Sequence, residues 1–238
     1  MDPIPNPRDR TRTSEESAGG TRGLTTGTTT VGLAGADGVV LAADARASLA
    51  GRFVTNRSMR KVEPVGDGAA VAFSGGVGDA QGFVRTLRAQ RRLYELRHDR
   101  PPAAGTLASV AAERTRSGRF PSLWLLLGGL DDEPAVYEID PAGGVMATEY
   151  AAGGSGMQLA YGALERSYEP GLDLDALRSV AAEALAGAAE RDAASGDGMT
   201  LATITEDGTA IETCDELGAR ALEAVAGDAA GATDEEVA

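Results

Sequence analysis

Gly27-Thr28-Thr29-Thr30-Val31-Gly32 places a glycine directly ahead of a threonine that opens a β-branched run. Such a run favours a strand, and the Gly-Thr step in front of it is one at which a chain can cut itself. Cleavage there would make Thr28 a new N-terminus. A terminal threonine joins a hydroxyl nucleophile to an α-amine of intrinsic pKa about 7.7 to 8.0, which can take the hydroxyl proton near neutrality. Before cleavage that nitrogen is an amide and has no basicity. Glycine suits the step because no Cβ obstructs a tight turn. The six residues equally fit a plain strand after a glycine turn, so the remainder of the chain has to decide between the two.

Outward from this junction, 28–34 and 39–44 have strand composition and are joined by the turn Gly35-Ala36-Asp37-Gly38, which predicts a hairpin. A short apolar strand, 69–73, runs into Ser74-Gly75-Gly76 and then into a helical period over 77–96 carried by Phe83, Leu87, Leu93 and Leu96. Pro101 and Pro102 divide this from a second helix at 103–116. Segments 122–130, 135–139 and 144–150 predict a strand meander with turns at Asp131-Asp132 and Pro141-Ala142-Gly143. Helices follow at 158–167 and 174–193, then strands at 199–205 and 209–211. The order of strands, two helices, strands, two helices and strands predicts an α+β fold, a four-layer αββα sandwich of two antiparallel sheets flanked by helix pairs. With 238 residues and 42% apolar content the chain can bury one substantial core. One folded domain, 28–226, is expected between a leader (1–27) and an acidic tail (227–238), both with the composition of disordered segments.

Composition excludes most familiar hydrolytic sites. The chain has one histidine, His98, and one cysteine, Cys214. A Ser-His-Asp or Cys-His arrangement would need His98, which lies ahead of Pro101 in what the pattern makes the last turn of a helix, where a solvated imidazole interacting with the helix dipole is the ordinary case. Zinc sites built from Cys and His fail on ligand count. Cys214 has no intrachain disulfide partner, in keeping with a reducing compartment. Formal net charge is −14, which disfavours nucleic acid and anionic membranes as partners. The cluster Arg85, Arg88, Arg91 and Arg92 is interleaved with apolar residues and fits a solvated helix face or a contact with an acidic neighbour. No targeting or membrane segment is visible in the polar first 23 residues, so a cytoplasmic location is expected. Acidic surplus with almost no lysine is also what a salt-crowded cytoplasm favours, which predicts a halophilic source.

Lys61 is the only lysine; arginine supplies the rest of the 22 basic residues. Arginine is a permanent cation, whereas lysine is a compact donor whose pKa responds to burial and neighbours. Chemistry that needs a tunable ammonium would retain lysine at this one position, although a surface turn could retain it by chance.

In these motifs and their order the chain resembles the β-subunits of the archaeal-type proteasome core particle, within the N-terminal-nucleophile hydrolases, from Gly27 to about Thr213. Gly27-Thr28 matches the family's processing junction, which implies that Thr28 is the nucleophile, exposed by autocatalytic loss of residues 1–27 from a zymogen. Ala43-Asp44-Ala45-Arg46-Ala47-Ser48 matches the motif whose acidic residue, here Asp44, pairs with the catalytic lysine. That lysine is Lys61 if the turn Leu49-Ala50-Gly51 carries one residue more than usual; without the extra residue Arg60 takes the place. The lone-lysine observation favours Lys61. Ser74-Gly75-Gly76-Val77-Gly78-Asp79 matches the turn whose backbone N–H, that of Gly75, faces the oxyanion. Gly154-Ser155-Gly156 and Arg191-Asp192-Ala193-Ala194-Ser195-Gly196 match the two remaining motifs, so that Ser155, Asp192 and Ser195 would surround the new amine. The resemblance further implies a substrate pocket lined by Ala47, Met59, Phe73 and Val77, hence cleavage after hydrophobic residues, with Phe73 reducing the depth. Taken singly, each motif has an ordinary alternative: a surface Asp44–Arg46 pair, a weak phosphate loop at Ser74-Gly75-Gly76, and a helix end at Asp192 and Ser195.

The implied function is threonine endopeptidase activity on unfolded proteins, without cofactor or metal. The implied partners are α-subunits, other β-subunits in stacked heptameric rings, and an ATP-dependent unfoldase cap. A non-catalytic subunit of the same ring predicts loss of Thr28, Asp44 or Lys61, and all three are present. Another N-terminal-nucleophile amidase should carry a small polar pocket. A nucleotide-binding module using residues 75–78 would respond to nucleotide titration.

Overall fold

The computed structural model describes residues 27–49 and 51–222. Most of the expected leader and all of the expected tail therefore lie outside the described residues. Twelve strands and four α-helices build the described part. β1 (Thr29–Ala34) and β2 (Val39–Asp44) form the expected hairpin, followed by the short pair β3 (Ala47–Leu49) and β4 (Phe53–Asn56). β5 (Val62–Gly66) and β6 (Ala69–Ser74) lead into α1 (Val77–His98) and α2 (Ala104–Arg114). Then come β7 (Trp124–Leu130), β8 (Pro134–Ile139), β9 (Val145–Thr148) and β10 (Tyr150–Gly154), the helices α3 (Met157–Ser167) and α4 (Leu174–Ala189), and finally β11 (Met199–Thr205) and β12 (Gly208–Cys214).

One sheet has the order β10-β1-β2-β11-β12 and the other β5-β6-β7-β8-β9, every pairing antiparallel. The period-2 alternation of strands sorts their side chains into three apolar layers. In β2, Val40 and Ala42 pack under α3 and α4, while Val39, Leu41 and Ala43 face Ala70, Ala72, Leu126 and Val136 of the second sheet. In β6, Val71 and Phe73 point the other way, onto Phe83, Leu87, Leu107 and Ala111 of α1 and α2. The fold is thus the four-layer αββα sandwich. Asp173 starts α4 by accepting the Ala176 N–H at 2.9 Å.

Several boundaries differ from expectation. The predicted strand 144–150 is divided at Glu149: β9 closes one sheet, whereas β10 crosses to pair with β1 in the other. The small buried residues Ala151, Ala152 and Gly153 fit beside β1, while Val145 and Met146 are exposed on an edge. The last long helix ends at Ala189, not at residue 193, and frees 190–198 as a loop. The second helix stops at Arg114 and passes into a π-helical turn, Thr115–Arg119, in which Gly118 has φ 72°. β3, β4 and β5 were not anticipated. β4 is mostly exposed, and its two apolar residues, Phe53 and Val54, are adjacent, so it lacks the apolar alternation that marks a strand.

Candidate active site

The ends of β1, β2, β6 and β10, with the loop after α4, converge on Thr28. The Thr28 side chain is buried, and its Oγ1 donates to the Gly27 carbonyl oxygen at 2.6 Å. Gly27 is held by its own N–H, which donates to Ser48 Oγ at 3.2 Å. A Cβ on residue 27 would overlap the Ala194 side chain, so the requirement for glycine here is one of space.

Asp44 ends β2 beside this junction and accepts four hydrogen bonds. Oδ1 takes Lys61 Nζ at 2.8 Å and the Thr29 N–H at 2.9 Å; Oδ2 takes the Gly196 N–H at 2.9 Å and the Arg46 N–H at 3.1 Å. Lys61 and Asp44 side chains are 4% and 0% exposed, so this is a buried ion pair. The Lys61 carbonyl is tied to the Phe73 N–H at 3.1 Å, which fixes the lysine at the mouth of β5 and β6. Arg60, the other residue that the spacing allowed, points outward to Glu63 at 3.1 Å. Burial pushes the Lys61 pKa below its ordinary value against the opposing pull of Asp44, and burial likewise raises Asp44 against the pull of Lys61. Nor is Asp44–Arg46 a surface ion pair: the Arg46 guanidinium turns away to Asp197, and only its backbone N–H serves Asp44.

The second cluster surrounds the Thr28 nitrogen. The Thr28 N–H donates to Ser155 Oγ at 3.1 Å, and Ser155 Oγ donates to Asp192 Oδ2 at 2.6 Å. Ser195 Oγ donates to the same oxygen at 2.7 Å and lies 2.7 Å from Thr29 Oγ1. Asp192 also accepts the Ala194 N–H at 3.1 Å, which folds the loop after α4 back toward β1. Gly154 (φ 88°) can approach because a Cβ there would overlap the Thr28 carbonyl oxygen.

Gly75 follows β6 with φ 128°, a backbone region glycine adopts readily, and a Cβ would overlap the Ser122 carbonyl oxygen. It lies with Thr28, Lys61, Ala47, Met59, Phe73 and Val77 around one cavity of about 10 Å³, room for about one water. Phe73 is 4% exposed and locked in the core of α1 and α2, so it forms an apolar floor. The eleven other positions that the resemblance assigns to the site are therefore gathered about Thr28.

Sequence reasoning missed the supports of this site. Asp197 has φ 62° and is gripped by Arg46 Nε at 2.7 Å and by the Arg57 guanidinium at 2.5 Å, while the Arg46 guanidinium also bonds the Ala193 carbonyl at 2.9 Å. The clamp holds residues 193–198, whose Gly196 N–H reaches Asp44 and whose Ser195 reaches Asp192. The flanking glycines of Gly196-Asp197-Gly198 were the one local signal. Thr29 Oγ1 and Ser48 were likewise unassigned. His98 ends α1, exposed and stacked on Tyr94 with ring centroids 4.2 Å apart. Arg88 bonds Glu63, and Arg91 and Arg92 bond Glu95; Arg88 and Arg92 are exposed and Arg91 half-buried, so this face is ion-paired and only partly solvated. Among the described residues no group of three or more His, Cys, Asp or Glu side chains is placed to hold a metal ion, and no helix is long and apolar enough to cross a membrane.

Comparison with known proteins bears on the arrangement as a whole. A family model described as "Proteasome subunit" matches residues 24–204. The chain is 50% identical over 193 residues to a proteasome subunit beta of Halorhabdus utahensis, covering 81% of this chain and 82% of that protein. It is 51% identical over 188 residues to proteasome subunit beta 2 of Haloterrigena turkmenica, covering 79% of each. Against proteasome subunit beta 2 of Haloarcula marismortui the identity is 46% over 192 residues, covering 80% of this chain and 84% of that one. A match that runs from just before the Gly27-Thr28 junction through the loop bearing Asp192 and Ser195 takes in every element of the site, and by it the chain belongs to the proteasome subunit family, as a β-subunit like those of halophilic archaea.

Proposed function

We propose that this chain is a catalytic β-subunit, a threonine-type endopeptidase whose Thr28 is released by self-cleavage after Gly27. One observation carries the reading: a buried hydroxyl touches the very carbonyl it would attack, with a buried ammonium and a serine-bound nitrogen beside it. A non-catalytic subunit has no use for a buried Lys61–Asp44 pair, which costs desolvation energy.

In the precursor, Thr28 Oγ1 attacks the Gly27 carbonyl carbon, the bond to the Thr28 nitrogen breaks, and water hydrolyses the resulting ester to release the leader. The α-amine so formed sits at Ser155 Oγ, backed by Asp192. Toward a substrate, Oγ1 attacks the peptide carbonyl while this amine accepts its proton. The Lys61 ammonium lowers the pKa of both groups, and Asp44 holds it in position. The Gly75 N–H is assigned to the oxyanion; loss of such a donor costs roughly 2.7–4 kcal/mol of barrier. Phe73 and the other apolar walls direct cleavage after smaller hydrophobic residues.

The assembly that fits is stacked heptameric β-rings between α-rings, fed with unfolded protein by an ATP-dependent unfoldase, in the cytoplasm of a halophile; the net charge of −14 supports the last point. Intact mass and N-terminal sequencing of the assembled protein test the proposal. Wild type should begin at Thr28 and Thr28→Ala should keep residues 1–27. Retention of the leader by active wild-type particles would refute it.

A further inference from the structure

Two openings meet at the Gly75 backbone. One is the cavity of about 10 Å³ beside Thr28 and Lys61. The other is a cleft of about 600 Å³ bordered by Gly27, Gly75, Ser155, Asp192, Trp124 and Met157, a volume usual for a binding site. Trp124 and Met157 are 45% and 38% exposed, although both belong to regular elements. Trp124 opens β7 opposite Ser74, the residue before Gly75; Met157 opens α3 two residues after Ser155. Both are thus held at fixed reach from the reacting groups. Among the described residues Asp192 is the only charged side chain bordering the cleft, and its carboxylate is already bound by Ser155, Ser195 and the Ala194 N–H.

We propose that this cleft binds the part of a polypeptide substrate that follows the scissile bond, and that Trp124 and Met157 select bulky apolar side chains there. The inference rests on the peptidase reading above, and the chemistry supplies the direction. As the Oγ1–carbon bond forms and the carbon–nitrogen bond breaks, the hydroxyl proton passes to the Thr28 amine and from it to the departing nitrogen, so that nitrogen must lie on the amine's side of Thr28. That side is marked by Ser155, which borders the cleft. Gly27, which would be lost on maturation, itself borders the cleft. The acyl part then lies on the other side of Thr28, toward the Ala47 and Phe73 walls, and the leaving part against Trp124 and Met157.

The test uses assembled wild type, Trp124→Ser and Met157→Ser with peptides identical up to the scissile bond and carrying Leu or Ser immediately after it. Product formation is followed by mass spectrometry. Wild type should favour Leu about tenfold in kcat/KM, and the ratio should fall toward one in both variants. A fluorogenic peptide amide with no residue after the bond separates the two ideas. If it is not turned over, or is turned over equally by Thr28→Ala, the peptidase reading fails. If it is turned over but wild type shows no Leu preference, or the variants keep it, the cleft assignment fails. A Trp124→Ser effect confined to leader removal or particle mass would give the cleft to the leader or to a neighbouring subunit, and would overturn the proposal.

Discussion

Asp44→Asn tests the electrostatic frame of the site most directly. Each carboxylate oxygen of Asp44 accepts two donors: Lys61 Nζ and the Thr29 N–H on one, the Gly196 and Arg46 N–H groups on the other. An asparagine can satisfy only one of these pairs, because its NH2 group must face the other pair donor to donor. It also leaves the Lys61 ammonium, 4% exposed, without a counter-charge. Breaking a buried pair from one side costs about 3–5 kcal/mol. In a domain of this size that is a fall of roughly 6–20 °C in Tm. Denaturant unfolding of Asp44→Asn, Lys61→Met and the double variant, each in a Thr28→Ala background, forms the cycle. The double variant should lose markedly less than the two single losses combined, since it removes the stranded charge. Because the pair is buried, molar salt should reduce the coupling little. A single-variant loss under about 1 kcal/mol, or strict additivity, would show that the pair is not a buried charged couple and would undo the reasoning.

Gly27→Val should block or greatly slow leader removal, seen as retained leader mass, because its Cβ overlaps Ala194 where the Gly27 carbonyl must meet Thr28 Oγ1; normal maturation would show that the precursor is not held in this geometry. The rate against pH should be bell-shaped, with an alkaline limb below the ordinary lysine pKa of 10.5, because burial lowers Lys61 and loss of its proton removes the ammonium. Lys61→Arg, which cannot titrate in that range, should abolish that limb together with most of the activity. Asp197→Asn should lower kcat more than KM by loosening the loop that carries Gly196 and Ser195, measured by steady-state kinetics. The hydrogen bond from Arg46 holds the Asp197 pKa below 3.8, so its stabilising contribution is fully present above that pH and is lost as pH falls through the lower folded value. Wild type and Asp197→Asn should accordingly converge in stability under acid.

What could be learned from the residues in order was whatever is enforced locally. The Gly27-Thr28 step, the hairpin turn ahead of Val39, Gly75 after β6 and the helical periods of α1 and α4 each carry their signal within a few neighbours, because steric limits on backbone angles and the period of apolar side chains act over that range. The solitary lysine likewise stood out by its rarity, and it is the one that lies buried against Asp44. Folding had to decide between Arg60 and Lys61, since successive residues leading into β5 turn to opposite sides and only the packed sheets make one of those sides the interior. It also decided where the predicted strand 144–150 breaks, because the crossing of β10 to β1 depends on which sheet edge is vacant. The Arg46–Asp197–Arg57 clamp joins residues 140 and more positions apart and leaves no periodic trace along the chain. Local chemistry marks the candidate groups; their burial and mutual distance, and hence their pKa, exist only once remote segments exclude water around them.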